Sequence, residues 1–227
     1  MAEGRRHQVP VLCKNFAEWV PAIVVPWLVV DDVRRLTAEG LASPSASMGL
    51  TAAAGTWASC GAIFGYMLYD CAVMLIWQRQ MHKSMGSGLY ATIWGHHLLS
   101  LGCWAIALSR RNCALMVAWF LFSEASNVFL TARTILIKLE VGGALNTGVS
   151  VVFIVLFFLI RILPLPMLAY LLFSGIPGLT HLTGFERFIS WTTGPLPLLL
   201  NLHWFRLAVA GLLKFMRKAP AKEQKTQ

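Results

Sequence analysis

The strongest constraint on this chain is a run of uncharged residues, Gly88 to Leu108. At 1.5 Å per residue, about 20 such residues make one helix that crosses a bilayer. In the middle of this run stand two adjacent titratable side chains, His96 and His97. Polar groups at that depth are costly, so they face a partner, a cavity or a substrate. The rest of the chain has to supply whatever meets the two imidazoles.

The whole chain has the same character. Of its 227 residues, 57% are apolar and only 13% charged. A soluble domain of this size carries about twice that share of charge. The expected class is therefore all-α, a single polytopic membrane bundle. The net charge of +9 does not point to a nucleic-acid partner, because the basic residues cluster between apolar segments and at the two ends. Membrane orientation and anionic lipid head groups select that placement. The five cysteines (Cys13, Cys60, Cys71, Cys103, Cys113) are odd in number, scattered and without a C-x-x-C, so neither a disulfide framework nor a zinc site is expected. Met1 to His7 is basic, but no compact apolar run with a small-residue cleavage site follows it, so no cleavable signal peptide is expected.

Hydropathy predicts about six spans. The first, about 16–33, contains Pro21 and Pro26 and is flanked by Lys14, Glu18, Asp31 and Asp32. A tilted or interfacial segment is the alternative there. Thr37 to Gly55 reads as a flexible connection rich in Ser, Ala and Gly. The second span, about 56–77, carries Gly61-x-x-x-Gly65, a small-residue face for close helix packing. A basic loop at Arg79 to Lys83 precedes the di-histidine span, and Arg110-Arg111 marks the next turn. The fourth, about 114–137, is interrupted by Ser123, Glu124, Ser126, Asn127 and Arg133. The fifth, about 149–173, is apolar except for Arg161, and Pro164 and Pro166 should kink it. Ser174 to Trp191 reads as a linker, and the sixth span runs over about 196–215. The division is a cytosolic segment 1–14, a membrane domain 15–216 and a polar, basic tail 217–227.

With six crossings, the side holding both termini carries eleven Lys and Arg (Arg5, Arg6, Lys14, Arg79, Lys83, Lys138, Lys214, Arg217, Lys218, Lys222, Lys225). The other side carries five (Arg34, Arg35, Arg110, Arg111, Arg187). Both termini are therefore predicted to be cytosolic.

Five charges fall inside the spans: Asp70, Glu124, Arg133, Arg161 and Arg206. At roughly 3 kcal/mol each at the bilayer centre, they would cost on the order of 15 kcal/mol if they faced lipid. That rivals the stability of a whole domain. They are expected to converge inside the bundle with His96, His97, Asn127 and Asn201. Helical spacing permits it, since Tyr66, Tyr69 and Asp70 share a face, as do Glu124 and Asn127. A purely structural salt-bridge core satisfies the same spacing. Adjacent histidines point about 100° apart on a helix, and His7, His82, His181 and His203 form no box, so no metal site is expected. No G-x-S-x-G elbow is present for a serine hydrolase. A membrane histidine can still serve as general base or acyl acceptor if a carboxylate holds its tautomer, and Asp70 or Glu124 could supply one. The arginines could take a phosphate or carboxylate head group bidentately.

Gly65-Tyr66-x-x-Tyr69-Asp70, His96-His97-Leu98-Leu99 and Glu124-x-Ser126-Asn127-x-x-Leu130-x-x-Arg133 together resemble the TLC-domain family. That family covers translocating-chain-associating proteins, longevity-assurance ceramide synthases and the ceroid lipofuscinosis type 8 protein. Phe157-x-x-x-Arg161-x-x-x-x-Pro166 and Leu200-Asn201-x-x-Trp204-Phe205 continue the match in order, from about residue 15 to 216. The resemblance implies about six helices in an endomembrane, the endoplasmic reticulum first, with the plasma membrane or another organelle as alternatives. It also implies an interior cavity for a lipid or acyl chain. In the ceramide synthase branch the paired histidines serve acyl transfer from acyl-CoA, and a run H-D-x-S-D-x-x-L-E follows. Here that run reads Ser123-Glu124-Ala125-Ser126-Asn127-Val128-Phe129-Leu130-Thr131, with the His, both Asp and the Glu changed. The chain is more similar to the shorter TLC-domain proteins associated with membrane lipid composition and trafficking.

Three functions fit. One is a lipid-binding or lipid-regulating protein with His96, His97, Asp70 and Glu124 at the head-group end of a cavity, and Tyr66, Tyr69, Asn127, Arg133, Arg161, Asn201, Trp204 and Arg206 around it. The second is a lipid acyltransferase using one histidine, with acyl-CoA as co-substrate. The third is a non-catalytic trafficking receptor or accessory subunit. Membrane lipids are the expected partners, and a homodimer or a membrane-protein partner is left open.

Overall fold

The computed structural model describes residues 9–44, 53–141, 143–178, 180 and 182–218. Met1 to Gln8 of the N-terminal segment, the 45–52 part of the connection and the tail from 219 onward lie outside the described residues. The elements in chain order are α1 (Val9–Ala42), α2 (Ala54–Ile76), α3 (Gln78–Met85), α4 (Ser87–Arg110), α5 (Ala114–Phe122) and α6 (Asn127–Lys138). After these come α7 (Ala144–Phe157), α8 (Leu165–Gly175), α9 (Gly184–Thr193) and α10 (Pro195–Lys218). A 3-10 turn, Ser123–Ser126, joins α5 to α6, and a π turn, Phe158–Ile162, follows α7.

Among the described residues, five stretches are long and apolar enough to cross a membrane: Ala54–Ile76, Ser87–Arg110, Ala114–Lys138, Ala144–Gly178 and Gly184–Leu213. They match the second to sixth expected spans. Val20, Trp27, Leu75, Leu98 and Leu163 are among many large apolar residues on the outer surface. Such a surface suits lipid and would be an aggregation liability in water.

Helix α1 differs most from expectation. It runs unbroken through Pro21 and Pro26 and continues past residue 33 to Ala42, into the expected flexible connection. It packs against α2, α5, α6 and the 3-10 turn. Ala22, Val25, Val29, Val33 and Leu36 recur every three or four residues and are buried, so one apolar stripe packs one face of α1 against the bundle. Val25, Val29, Val33 and Leu36 share a core cluster with Cys60 and Ile63 of α2 and Leu115, Ala118 and Leu121 of α5.

The close approach of α1 to α2 falls at Gly55, where a Cβ would stand 2.3 Å from the Leu28 carbonyl oxygen. Next to it, Asp32 accepts from the Thr56 amide at 2.9 Å and the Thr56 hydroxyl at 2.8 Å. A carboxylate is thereby fixed on the positive end of α2. Gly61 and Gly65, expected to form the packing face, instead point outward with nothing within 4 Å of a Cβ.

Two expected loops hold short helices. The basic loop contains α3, whose Met81 is buried against Met74 and Tyr90. The linker contains α9, opened by a capping box in which Thr183 and Glu186 bond reciprocally. The kink expected at Pro164 and Pro166 is present, with α8 starting beside Pro164. The break begins earlier, at the π turn, where the Leu163 amide donates to the Phe158 carbonyl.

Candidate intramembrane site

The expected polar convergence takes the form of two adjoining clusters. The first is centred on Asp70 of α2, which is completely buried. Its Oδ2 lies 3.1 Å from Lys14 Nζ of α1 and 2.5 Å from His97 Nε2 of α4. Three helices are thus tied through one carboxylate oxygen. A neutral imidazole bonded in this way carries its proton on Nε2 and its lone pair on Nδ1. His97 Nδ1 and Asp70 Oδ1 are buried and have no hydrogen-bond partner among the described residues. Glu18, one turn along α1 from Lys14, is within electrostatic reach of Asp70, His97 and Glu124 and links the first cluster to the second.

The second cluster is built on two departures from α-helical geometry. In the 3-10 turn, the Ser123 hydroxyl bonds back to the Phe120 carbonyl and the Ser126 hydroxyl to the Ser123 carbonyl. Such back-bonding loosens the α ladder. It leaves the Ser123 carbonyl able to accept from Arg161 Nη2 at 2.9 Å. The π turn places Arg161 opposite, its backbone position braced by Trp119 Nε1 donating to the Ile160 carbonyl at 3.1 Å. Arg161 Nε donates to Ser126 Oγ at 2.9 Å, Nη2 also to Asn127 Oδ1 at 3.0 Å, and Nη1 to Asn201 Oδ1 at 3.4 Å. Glu124 Oε1 lies 3.9 Å from Nη2, and Glu124 Oε2 accepts from Asn127 Nδ2 at 2.7 Å. The guanidinium sits over the Phe157 ring, 5.1 Å from its centroid. Four of the five Arg161 N–H groups thus donate to protein acceptors, and one N–H of Nη1 is left without one among the described residues. These bonds hold Asn127 and Asn201 in place, with Glu124 alongside.

His96 belongs to neither cluster. Its ring meets the edge of Trp204 at 4.9 Å and that of His97 at 5.5 Å, and it makes no hydrogen bond among the described residues. It lines a cavity of about 140 Å³ together with Glu124, Arg161, Asn201 and Trp204. The cavity continues along apolar walls such as Leu99, Met116 and Phe120 toward Asn112 and Cys113 at the turn between α4 and α5. Ile189 and Ser190 of α9 also line it. The two imidazoles thus divide: His97 is sealed against Asp70, and His96 faces the space.

The structure brings together Asp70 with His97, and Arg161 with Glu124, Asn127 and Asn201, while His96 and Trp204 share a cavity with Glu124, Arg161 and Asn201. Tyr66 packs on the α1–α2–α5 core, within electrostatic reach of Asp70 and Glu124. Tyr69 and Arg206 are exposed on the outer face, and Arg133 bonds Ser150 in a separate groove. Lys14 and Glu18 were not expected as site residues. Lys14, counted with the cytosolic basic side, is buried. The available signal was their spacing of four on one continuous helix. Among the described residues no three His, Cys, Asp or Glu side chains group as metal ligands, and Cys60, Cys71 and Cys113 are free thiols.

The arrangement is an all-α, multi-pass membrane bundle with a polar core and an internal cavity. The chain belongs to the TLC-domain family, whose model, described as the TLC domain, matches residues 34–214. The match begins inside α1, so Lys14 and Glu18 lie outside it. Neither curated proteins nor solved structures give a match to the chain.

Proposed function

We propose that this protein acts in membrane lipid metabolism, holding a lipid or acyl chain in the cavity between α4, α5, α8 and α10. The observation that carries the reading is an apolar cavity ending on one unbonded imidazole, His96, beside Glu124 and Asn201. Ligand sites combine apolar walls with a few convergent polar groups in this way. An accessory subunit would need only a filled interior. The protein is assigned to an endomembrane, the endoplasmic reticulum first, with both termini cytosolic.

A second reading, acyl transfer from acyl-CoA, is favoured by the freedom of both His96 ring nitrogens. As general base, His96 would take the proton of an attacking lipid hydroxyl or amine while the thioester bond breaks, then return it to the departing CoA thiolate. His97, with Asp70 and Lys14, would position α4 rather than touch substrate.

The test is lipid profiling of cells that lack the protein and are complemented with wild type or His96→Ala. Wild type should restore the altered lipid species, and His96→Ala should insert normally yet fail to restore them. Full restoration by His96→Ala would overturn the proposal. Purified protein supplied with labelled acyl-CoA and membrane lipid decides the second reading, since no labelled lipid product means no transfer.

A further inference from the structure

A second concavity lies between α6, α7 and α10, separate from the His96 cavity, with a volume of about 470 Å³. Its walls are apolar, including Ile137, Phe153, Leu207 and Leu212, and its polar groups are Arg133, Glu140, Asn146 and Ser150. Arg133 stands five residues before the end of α6, and Asn146 is the third residue of α7. At 1.5 Å per residue these groups are within about 8 Å of the helix ends, at head-group depth. Lys138 bonds Ser84 at 2.9 Å, so the α6–α7 loop lies on the same end of the bundle as α3, the side richer in Lys and Arg.

The polar groups are only partly used. Arg133 Nε donates to Ser150 Oγ at 3.0 Å, and Ser150 Oγ donates to the Asn146 carbonyl at 2.7 Å, which fixes the plane of the guanidinium. Arg133 has no carboxylate partner among the described residues, and its two terminal nitrogens are a ready fork for a phosphate. Asn146 Oδ1 is buried with no donor among the described residues. Glu140 adds a carboxylate on the same groove. A purely anionic head group would suit Arg133 but would leave Asn146 Oδ1 unsatisfied and set negative charge near Glu140.

We propose that this groove binds a zwitterionic phospholipid whose head group carries a primary ammonium. The phosphate sits on Arg133, the ammonium donates to Asn146 Oδ1 and Glu140, and the acyl chains lie along Phe153, Leu207 and Leu212. A choline head group fits the charges but has no N–H to give Asn146. Free phosphate leaves the apolar walls uncovered. Basic pockets between membrane helices on the cytosolic side bind head groups by the same physics.

The test uses the full-length protein in nanodiscs holding equal amounts of phosphatidylethanolamine, phosphatidylcholine and phosphatidylglycerol. Retained lipid is read by native mass spectrometry, with inorganic phosphate as a separate arm. The ethanolamine lipid should be retained at least about tenfold over the choline lipid. Asn146→Leu should bring that ratio close to one while phospholipid is still bound, and Arg133→Gln should lower retention of all three. His96→Ala should leave the ratio unchanged. Equal retention of the ethanolamine and choline lipids by wild type, or an unaltered ratio in Asn146→Leu, would overturn the proposal. So would loss of the preference in His96→Ala, which would move the lipid to the other cavity. Displacement by inorganic phosphate alone would show an anion site and not a lipid groove. Should Arg133→Gln fail to insert, Asn146→Leu decides alone.

Discussion

Replacing Asp70 with Asn should destabilise the bundle through Lys14 more than through His97. Asn keeps a side-chain oxygen for His97 Nε2 but removes the charge that lies 3.1 Å from Lys14 Nζ. Removing one partner of a buried ion pair costs about 3–5 kcal/mol, because the other charge is left buried without compensation. Glu18, one turn from Lys14, is a fallback partner, so the lower end applies, about 3 kcal/mol. For a chain of this size that is a fall of about 6–12 °C in melting temperature. Thermal unfolding of the detergent-solubilised protein, followed by intrinsic tryptophan fluorescence, reads this directly. The double variant Lys14→Met/Asp70→Asn should recover most of the loss, since no uncompensated charge remains. A melting temperature for Asp70→Asn within about 2 °C of wild type would refute the reasoning. So would a double variant no more stable than the single one.

Gly55→Val should destabilise by about 1–3 kcal/mol, because its side chain would meet the Leu28 carbonyl, whereas Gly61→Ala and Gly65→Ala should stay within about 0.5 kcal/mol. The same unfolding assay separates the three. Trp119→Phe should cost about 1 kcal/mol by removing the bond to the Ile160 carbonyl. It should also loosen Arg161, read as faster hydrogen exchange across the π turn.

The fold was legible because membrane spans announce themselves by length and lack of charge, and Pro164 marked the break in the fifth. Helix α1 was harder to read. Its two prolines and flanking charges look like a boundary, yet its apolar stripe from Ala22 to Leu36 packs one face of it against the bundle. The same ambiguity hid Lys14 and Glu18, which sequence alone could not tell from residues flanking a span. The meeting of Asp70 with His97, and of Glu124 with Arg161 and Asn201, followed from the cost of leaving those groups in lipid. Their separation into two clusters did not follow, because it depends on the roughly 100° between adjacent residues combined with helix rotations that only packing fixes. Arg161 illustrates the limit. Its burial was foreseeable, but its bond to the Ser123 carbonyl depends on the 3-10 turn that exposes that oxygen. The Gly61-x-x-x-Gly65 pattern did not mark the contact with α1, since spacing cannot say which face of α2 meets that helix.

The central claim is that the His96 cavity holds a lipid, and a single-particle density map of the purified protein tests it most directly. The account predicts continuous elongated density along Leu99, Met116 and Phe120, ending within about 4 Å of the His96 ring. Its loss in a His96→Ala map of the same quality should accompany the loss of function. A well-resolved map in which side chains close the cavity, with His96 bonded to protein, would contradict the account.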